Sequence, residues 1–270
     1  MVLKNNKSKL KIGLIDIFLN EKESYVERVD NVFKILSKTN TGEFDLIVLP
    51  ELWIVGAFDY LANTQLNQKY IKNVLLQFSK IAASKKMYIH SGTHPILNSR
   101  NYLSNTAIIF NPNGKQICSY EKIHLFGFTN GEKKVFKSGK SIKIFDLFET
   151  KVGVSTCYDL RFPEIFIKQV NLGAKILVVS AAWPQKRIKH WKHLLIARAI
   201  ESQCYVVASN TSGISANVQL GSNSMVIDPT GNEIKLKQNR NIFNCDIDLG
   251  KLNKYRSGFP VLADRKRTIQ

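Results

Sequence analysis

The sequence predicts an α/β protein built as a single domain, and three observations carry that reading. Short apolar runs rich in β-branched residues alternate with longer segments of helical period. No low-complexity linker and no internal repeat of roughly 20 to 50 residues divides the chain. Polar or aromatic residues recur just behind the carboxyl ends of the predicted strands. With 270 residues, 44% of them hydrophobic, the chain can fill one large core, or at most two modest ones.

In chain order, residues 11–17 form the first predicted strand. A helix follows, in which Val29, Val32, Phe33 and Leu36 keep i, i+3, i+4, i+7 spacing. Residues 44–49 are the next strand, and Tyr70, Val74, Phe78, Ile81 and Ala82 trace a second helical stripe. Strands are read at 87–92 and 107–111, the latter closed by the tight turn Asn111-Pro112-Asn113-Gly114. Residues 152–156 and 176–180 are further strands, followed by a helix over about 190–203 carrying Trp191, Leu194, Leu195 and Ala199. The last strands are 205–209 and 225–227, with a second turn at Asp228-Pro229-Thr230-Gly231. Each turn closes a strand and opens a hairpin partner, so mixed pairing is expected at the sheet edges.

Composition narrows the setting. Cys118, Cys157, Cys204 and Cys245 are scattered without a CxxC pair, which argues against a disulfide framework and a structural zinc site and for a reducing cytoplasm. The apolar stretch behind the basic first residues is broken at Asp16, and no run approaches the roughly 18 apolar residues of a membrane span. The formal charge of +18 invites a nucleic-acid reading. Lysines are nevertheless spread over almost every segment, without a basic helix or an RNA-binding signature, so a solvated Lys-rich surface and no nucleic-acid partner are expected.

Glu51, Cys157, Trp183 and Asn210 each follow a predicted strand. Ligand crevices of α/β sheets form outside those ends. A cysteine hydrolase needs a nucleophilic thiol, a group that takes and returns its proton, and donors for the oxyanion. One arrangement takes the base from His90, His94, His124, His190 or His193, with Asn210 or Asp159 as orienter. The other uses Glu51 as base and Lys122 as a fixed positive charge that favours the thiolate and steadies the oxyanion. His190 and His193 suggest a metal pair only weakly, since no third ligand completes a motif.

The ordered segments Leu49-Pro50-Glu51, Tyr120-Glu121-Lys122 and Cys157-Tyr158-Asp159-Leu160-Arg161-Phe162-Pro163-Glu164 resemble the nitrilase, or carbon-nitrogen hydrolase, superfamily nearly end to end, from the opening strand to about Asp248. The resemblance implies a four-layer αββα sandwich with a core over about 10–248. It implies Glu51 as general base, Lys122 as the charge near the tetrahedral centre, Cys157 as nucleophile and Glu132, within Asn130-Gly131-Glu132, as a second glutamate that positions substrate and lysine. It implies no metal and no organic cofactor. Protomers of the superfamily pair through helix layers, so a homodimer or higher oligomer is expected, with residues 163–170 contributing and a C-terminal extension, 249–270, packing at the interface.

Within the superfamily the chain is similar to the branch that includes ω-amidases acting on 2-oxo acid monoamides. The segments that carry this are His124-Leu125-Phe126, the stretch after Cys157, Ala182-Trp183-Pro184-Gln185-Lys186-Arg187 with His190-Trp191, and Ala197-Arg198-Ala199-Ile200-Glu201. Nitrilases place Trp after the cysteine; Tyr158 stands here, which favours an amide over a nitrile. Related carbamoyl-amino-acid hydrolases carry two adjacent arginines where this chain has Leu160 and Arg161. A small anionic amide needs a carboxylate anchor, for which Arg161 and Arg187 are the candidates, with Tyr158 and Trp183 beside them. Arg161 has a second reading as an ion-pair partner of Asp159 or Glu164. A fold-retaining binding protein without activity and an acyl transferase are the remaining alternatives.

Overall fold

The computed structural model describes residues 7–99, 101–127 and 131–266. Asn130, which opens the Glu132 segment, and residues 267–270 of the expected extension lie outside them. In chain order the strands are β1 (Lys9–Ile15), β2 (Phe18–Leu19), β3 (Leu46–Val48), β4 (Tyr88–Leu97), β5 (Leu103–Phe110), β6 (Gln116–Glu121), β7 (Ile144–Leu147) and β8 (Thr150–Thr156). They continue with β9 (Ile176–Ala181), β10 (Tyr205–Asn210), β11 (Ser212–Ser215), β12 (Val218–Gln219), β13 (Met225–Ile227), β14 (Lys237–Asn239) and β15 (Ile242–Asp248). The helices are α1 (Tyr25–Ser37), α2 (Tyr60–Gln65), α3 (Gln68–Lys85), α4 (Glu132–Val135), α5 (Pro163–Asn171), α6 (Ile188–Ser202), α7 (Leu249–Gly258) and α8 (Val261–Asp264).

Side-chain alternation along the strands decides the layering. The first main sheet has the order β14-β15-β1-β3-β4-β5-β6 and the second β13-β10-β9-β8-β7, beside a small sheet β12-β11-β2. Leu10, Ile12 and Leu14 of the first sheet share a buried cluster with Val152, Val154, Ile176, Val178 and Val207 of the second, so the two sheets face each other across it. The opposite face of the first sheet, through Ile47, Ile89 and Ile108, buries the apolar stripes of α1 and α3 (Val29, Val32, Phe33, Val74, Phe78). The outer face of the second, through Leu177, Val179 and Val206, buries Ile165 and Phe166 of α5 and Trp191, Leu195 and Ala199 of α6. Helix, sheet, sheet and helix make the four-layer αββα sandwich. Each Leu, Ile or Val so enclosed contributes about 1.5–3 kcal/mol relative to exposure.

Pairing is parallel where the sheets are central, β1 with β3 and β3 with β4, and β8 with β9 and β9 with β10. It is antiparallel at the edges, as the turn signals predict. Asn111-Pro112-Asn113-Gly114 joins β5 to β6, its Gly114 amide donating to the Asn111 carbonyl at 2.8 Å with a φ of 76° that favours glycine. The Asp228 turn opens only a short bridge, Ile227 to Glu233, instead of a full strand.

Because β5 is antiparallel to both β4 and β6, β6 runs in the same sense as β3 and β4. The chain beyond β3, β6, β8, β9 and β10 therefore emerges at one end of the sandwich. Glu51, Lys122, Cys157, Trp183 and Asn210 all stand at that end.

Candidate active site

Glu51 is held by the meeting of β3 and β4. Gly92 sits at a bulge in β4 with φ of 78°, and any Cβ there would strike the Pro50 carbonyl and the Trp53 ring. The close approach lets Thr93 Oγ1 accept the Leu52 amide at 3.0 Å and the Ser91 carbonyl accept Trp53 Nε1 at 2.9 Å. The Glu51 carboxylate is thereby fixed at the sheet end, 2% exposed. Its Oε2 accepts the amide of Ala182, just past β9, at 3.1 Å.

Cys157 follows β8 at φ of 45°, and residues Cys157–Arg161 form a 3-10 turn. A left-handed cysteine at this junction is a strained conformation that the surroundings must hold. Asp159 does so. Its fully buried carboxylate accepts the Thr156 amide (3.0 Å), Tyr120 Oη (2.7 Å), and both the backbone amide (2.9 Å) and Nδ1 (3.0 Å) of His124. Tyr120 and His124 flank Lys122 by two residues on either side, so one carboxylate ties the lysine segment to the cysteine turn.

Lys122 Nζ donates to Glu51 Oε1 and to Glu132 Oε2, each at 2.7 Å, with all three side chains buried. Glu132, at the start of α4, also accepts the Phe126 amide at 2.6 Å. Asn105 completes the cluster: its Nδ2 donates to Glu51 Oε1 and to Glu132 Oε1, both at 2.9 Å. Burial alone would pull the Lys122 ammonium down, but Glu132 and Glu51 outweigh it and hold its pKa well above the ordinary value. Burial pushes the Glu132 carboxyl up, opposed by Lys122 and reinforced by Glu51.

The Cys157 thiol, 8% exposed, lies within electrostatic reach of Glu51 and Lys122. Burial and the Glu51 charge push it well above the usual thiol range, and the opposing pull of Lys122 is smaller. The expectation that the lysine would favour a resting thiolate is thus corrected. The arrangement suits a neutral thiol that loses its proton to a carboxylate as it attacks.

The four catalytic and four substrate-binding candidates of the sequence line one cavity: Glu51, Lys122, Glu132, Cys157, Tyr158, Arg161, Trp183 and Arg187. Ala57, Phe58, Tyr60, Phe126 and Pro184 complete its lining, and none of the five histidines belongs to it. His90 and His94 are buried inside β4, and burial lowers them to about 4 and about 3. His124 is engaged by Asp159 and stacks on Phe162 at 3.7 Å. His190 Nδ1 lies 3.3 Å from Arg161 Nη2. A broader groove beside α1, lined by Asp16, Glu23, Arg28 and Arg240, holds no comparable set of reacting groups.

The two arginines sit on aromatic faces at the rim. Arg161 lies 4.8 Å from the Trp183 ring and 5.9 Å from Tyr158, and Arg187 lies 5.3 Å from Phe126. Among the described residues neither forms an ion pair. Arg161 therefore takes neither partner considered for it: Asp159 is saturated by Tyr120, Thr156 and His124, and no bond reaches Glu164. Leu160 is fully buried, with its carbonyl accepting from Arg198. Asn210 serves as a brace, its Oδ1 accepting the Trp183 amide at 2.6 Å while its Nδ2 donates to the Ser222 carbonyl.

The carbon-nitrogen hydrolase family model matches residues 15–257. The chain belongs to that family. It is 33% identical over 98% of its length to a 2-oxoglutaramate amidase of Paenarthrobacter nicotinovorans, covering 92% of that protein. It is also 33% identical to a 2-oxoglutaramate amidase of Bacillus subtilis, over 91% of this chain and 95% of that one. A CN-hydrolase superfamily protein of Xanthomonas campestris superposes with a TM-score of 0.85 at 25% identity, covering 97% of this chain and 99% of that one.

Two residues of this candidate site are not evident in the sequence. Asn105 lies outside the strand read at 107–111, because the polar stretch Ser104-Asn105-Thr106 hides the start of β5. Tyr60 follows the N-cap Asp59 of α2, and only the folded chain brings it to the cavity, where burial and the charge of Glu132 push its phenol up to about 12.

Proposed function

We propose that this protein hydrolyses a small linear carboxylic amide to its acid and ammonia through a thioester on Cys157, and that the amide is the ω-amide of a 2-oxo dicarboxylic acid. The observation that carries the reading is the convergence of Cys157, Glu51, Lys122 and Glu132 in one cavity with two arginines at its rim that, among the described residues, pair with no carboxylate.

Glu51 accepts the thiol proton as Sγ bonds to the amide carbon and the carbonyl electrons move onto oxygen. Lys122 Nζ and the backbone N–H of Tyr158 stabilise that oxyanion. Collapse breaks the C–N bond; Glu51 returns its proton to nitrogen and ammonia leaves. Water then adds to the thioester with Glu51 again taking the proton, and the second collapse frees the acid while the thiol is reprotonated. Glu132 keeps Lys122 charged and aimed throughout. The balance is amide plus water to acid plus ammonia.

Arg161 and Arg187 supply forked donors for the carboxylate at the far end of the substrate. The names of the Paenarthrobacter and Bacillus relatives support a 2-oxo acid amide. The burial of Leu160 weighs against a carbamoyl-amino-acid substrate. The free cysteines support a reducing, cytoplasmic setting, and among the described residues no helix is long and apolar enough to cross a membrane. A homo-oligomer paired through the α5 and α6 layer, with the C-terminal helices at its margin, is supported by the exposure of Ile167, Leu172, Ile200 and Phe259.

The test is a panel of ω-amides of 2-oxo and amino dicarboxylic acids, with ammonia and enzyme mass both recorded. The highest kcat/KM should belong to a 2-oxo ω-amide. An acyl adduct that forms without ammonia turnover to free acid contradicts hydrolysis and points to acyl transfer.

A further inference from the structure

We propose that Asn105 is a positioning residue for the reaction, its side-chain amide joining the carboxylates of Glu51 and Glu132 into one frame with Lys122 so that Glu51 faces the thiol ready to accept its proton. This rests on the reading of Glu51 as the base.

The geometry is a closed ring. Lys122 Nζ spends one hydrogen on Glu51 Oε1 and one on Glu132 Oε2; Asn105 Nδ2 spends one on Glu51 Oε1 and its other on Glu132 Oε1. Each carboxylate is therefore bridged to the other twice, once by a cation and once by a neutral donor. The third ammonium hydrogen of Lys122 remains for an oxyanion. The backbone joins in, since the Asn105 carbonyl accepts the Lys122 amide at 2.8 Å. Asn105 therefore fixes the main chain of the lysine together with both carboxylate partners of its ammonium.

Charge makes the second bridge necessary. Two buried carboxylates share one ammonium, and burial together with the Glu51 charge raises the Glu132 carboxyl. A protonated Glu51 cannot accept the thiol proton. Two N–H donors from Asn105 favour the ionised form without adding a second cation that would compete with the developing oxyanion. Lys122, the Cys157 thiol and the Tyr60 phenol face the pair, with Arg161 and Arg187 in the same cavity; among the described residues Lys122 is the cation that forms an ion pair with either carboxylate. The amide orientation follows, because turning Oδ1 toward two carboxylates would set lone pairs against lone pairs. Among the described residues the buried Oδ1 has no hydrogen-bond partner, a cost to the fold that the frame explains.

The test compares wild type, Asn105→Ala and Asn105→Ser, whose single hydroxyl hydrogen serves only one carboxylate. Two profiles are read against pH: kcat/KM for the amide, and the rate of Cys157 alkylation by iodoacetamide, located by peptide mass. Loss of the donors removes hydrogen bonds that favour the ionised carboxylates, so the acid-side inflection of both profiles should move up by about one pH unit or more in Asn105→Ala. Asn105→Ser should fall between, and kcat should drop about tenfold or more with KM changed less than about threefold. A residue that only supports the fold lowers thermal stability and leaves the inflection in place. Profiles that superimpose on wild type in the folded variants overturn the proposal. If wild type releases no ammonia from any amide while the alkylation inflection still moves, the substrate reading fails and the positioning role stands.

Discussion

Lys122 Nζ and Glu51 Oε1 stand 2.7 Å apart with both side chains almost fully excluded from solvent. A buried ion pair is weak support for a fold, because desolvation consumes most of its Coulomb energy. Here one ammonium serves two carboxylates, Glu51 and Glu132, and the cluster retains an excess negative charge beside Cys157. In the proposed mechanism that arrangement serves proton acceptance by Glu51 more than stability.

The asymmetry of the cluster predicts unequal variants. Lys122→Met leaves two buried carboxylates without a cation and should cost about 3–5 kcal/mol of stability. Glu51→Gln leaves Lys122 paired with Glu132, so it should unfold close to wild type while kcat falls about 10²- to 10⁴-fold. Chemical denaturation and ammonia release on the same preparations check both, and Glu51→Gln with unchanged kcat would remove Glu51 as the base.

Arg161 and Arg187 are predicted to act on the charged end of the substrate. Replacing either by Gln should raise KM for a carboxylate-bearing amide about 10-fold or more, the loss of one charge-assisted contact, and leave a neutral amide of equal length nearly unaffected. Equal losses on both substrates would instead make the arginines supports for Trp183 and Phe126.

Asp159→Asn should loosen the nucleophile turn. An amide nitrogen in place of one carboxylate oxygen sets a donor against a donor among Thr156, Tyr120 and His124, at a cost of about 1–3 kcal/mol. Differential scanning calorimetry should show a lower Tm, and Cys157 should alkylate at an altered rate.

The histidines of β4 predict a distinct pH dependence of stability. His90 and His94 are buried neutral, with pKa lowered by burial from 6.5 to about 4 and about 3. Their stabilising contribution is complete above pH 6.5 and is lost as pH falls through those folded values, about 3 kcal/mol for His90 alone. Urea unfolding between pH 7 and 4 should show a shallower loss in His90→Asn, whose Oδ1 can accept the Gly92 amide as Nδ1 does now at 3.2 Å. An identical slope would contradict this.

Much of the site was legible because its parts are local. Glu51 and Cys157 stand directly behind short β-branched runs whose apolar character is dictated by burial on both faces, and Lys122 is recognised by its motif. The strands at 152–156, 176–180 and 205–209 were read close to their observed limits for the same reason. Pairing across the chain was not legible: β15 lies beside β1 with Ile12 opposite Cys245, a contact no local pattern encodes. β6 and β7 are half-exposed edge strands whose mixed residues blur the apolar run. Asn105 is hidden because a strand end that serves a polar cluster must itself be polar, and Asp159, two residues from Arg161 in sequence, is instead bound by a Tyr120 that only folding brings near.

The most direct test of the account is mass spectrometry of peptides from enzyme quenched during turnover of a 2-oxo ω-amide, alongside ammonia release by Cys157→Ala. Hydrolysis through a thioester predicts an acyl group on Cys157 of the substrate's acid less one water, formed and discharged at rates compatible with kcat, and a folded Cys157→Ala that releases no ammonia. Continued ammonia release by Cys157→Ala, or an acyl group carried on a different residue, would contradict it.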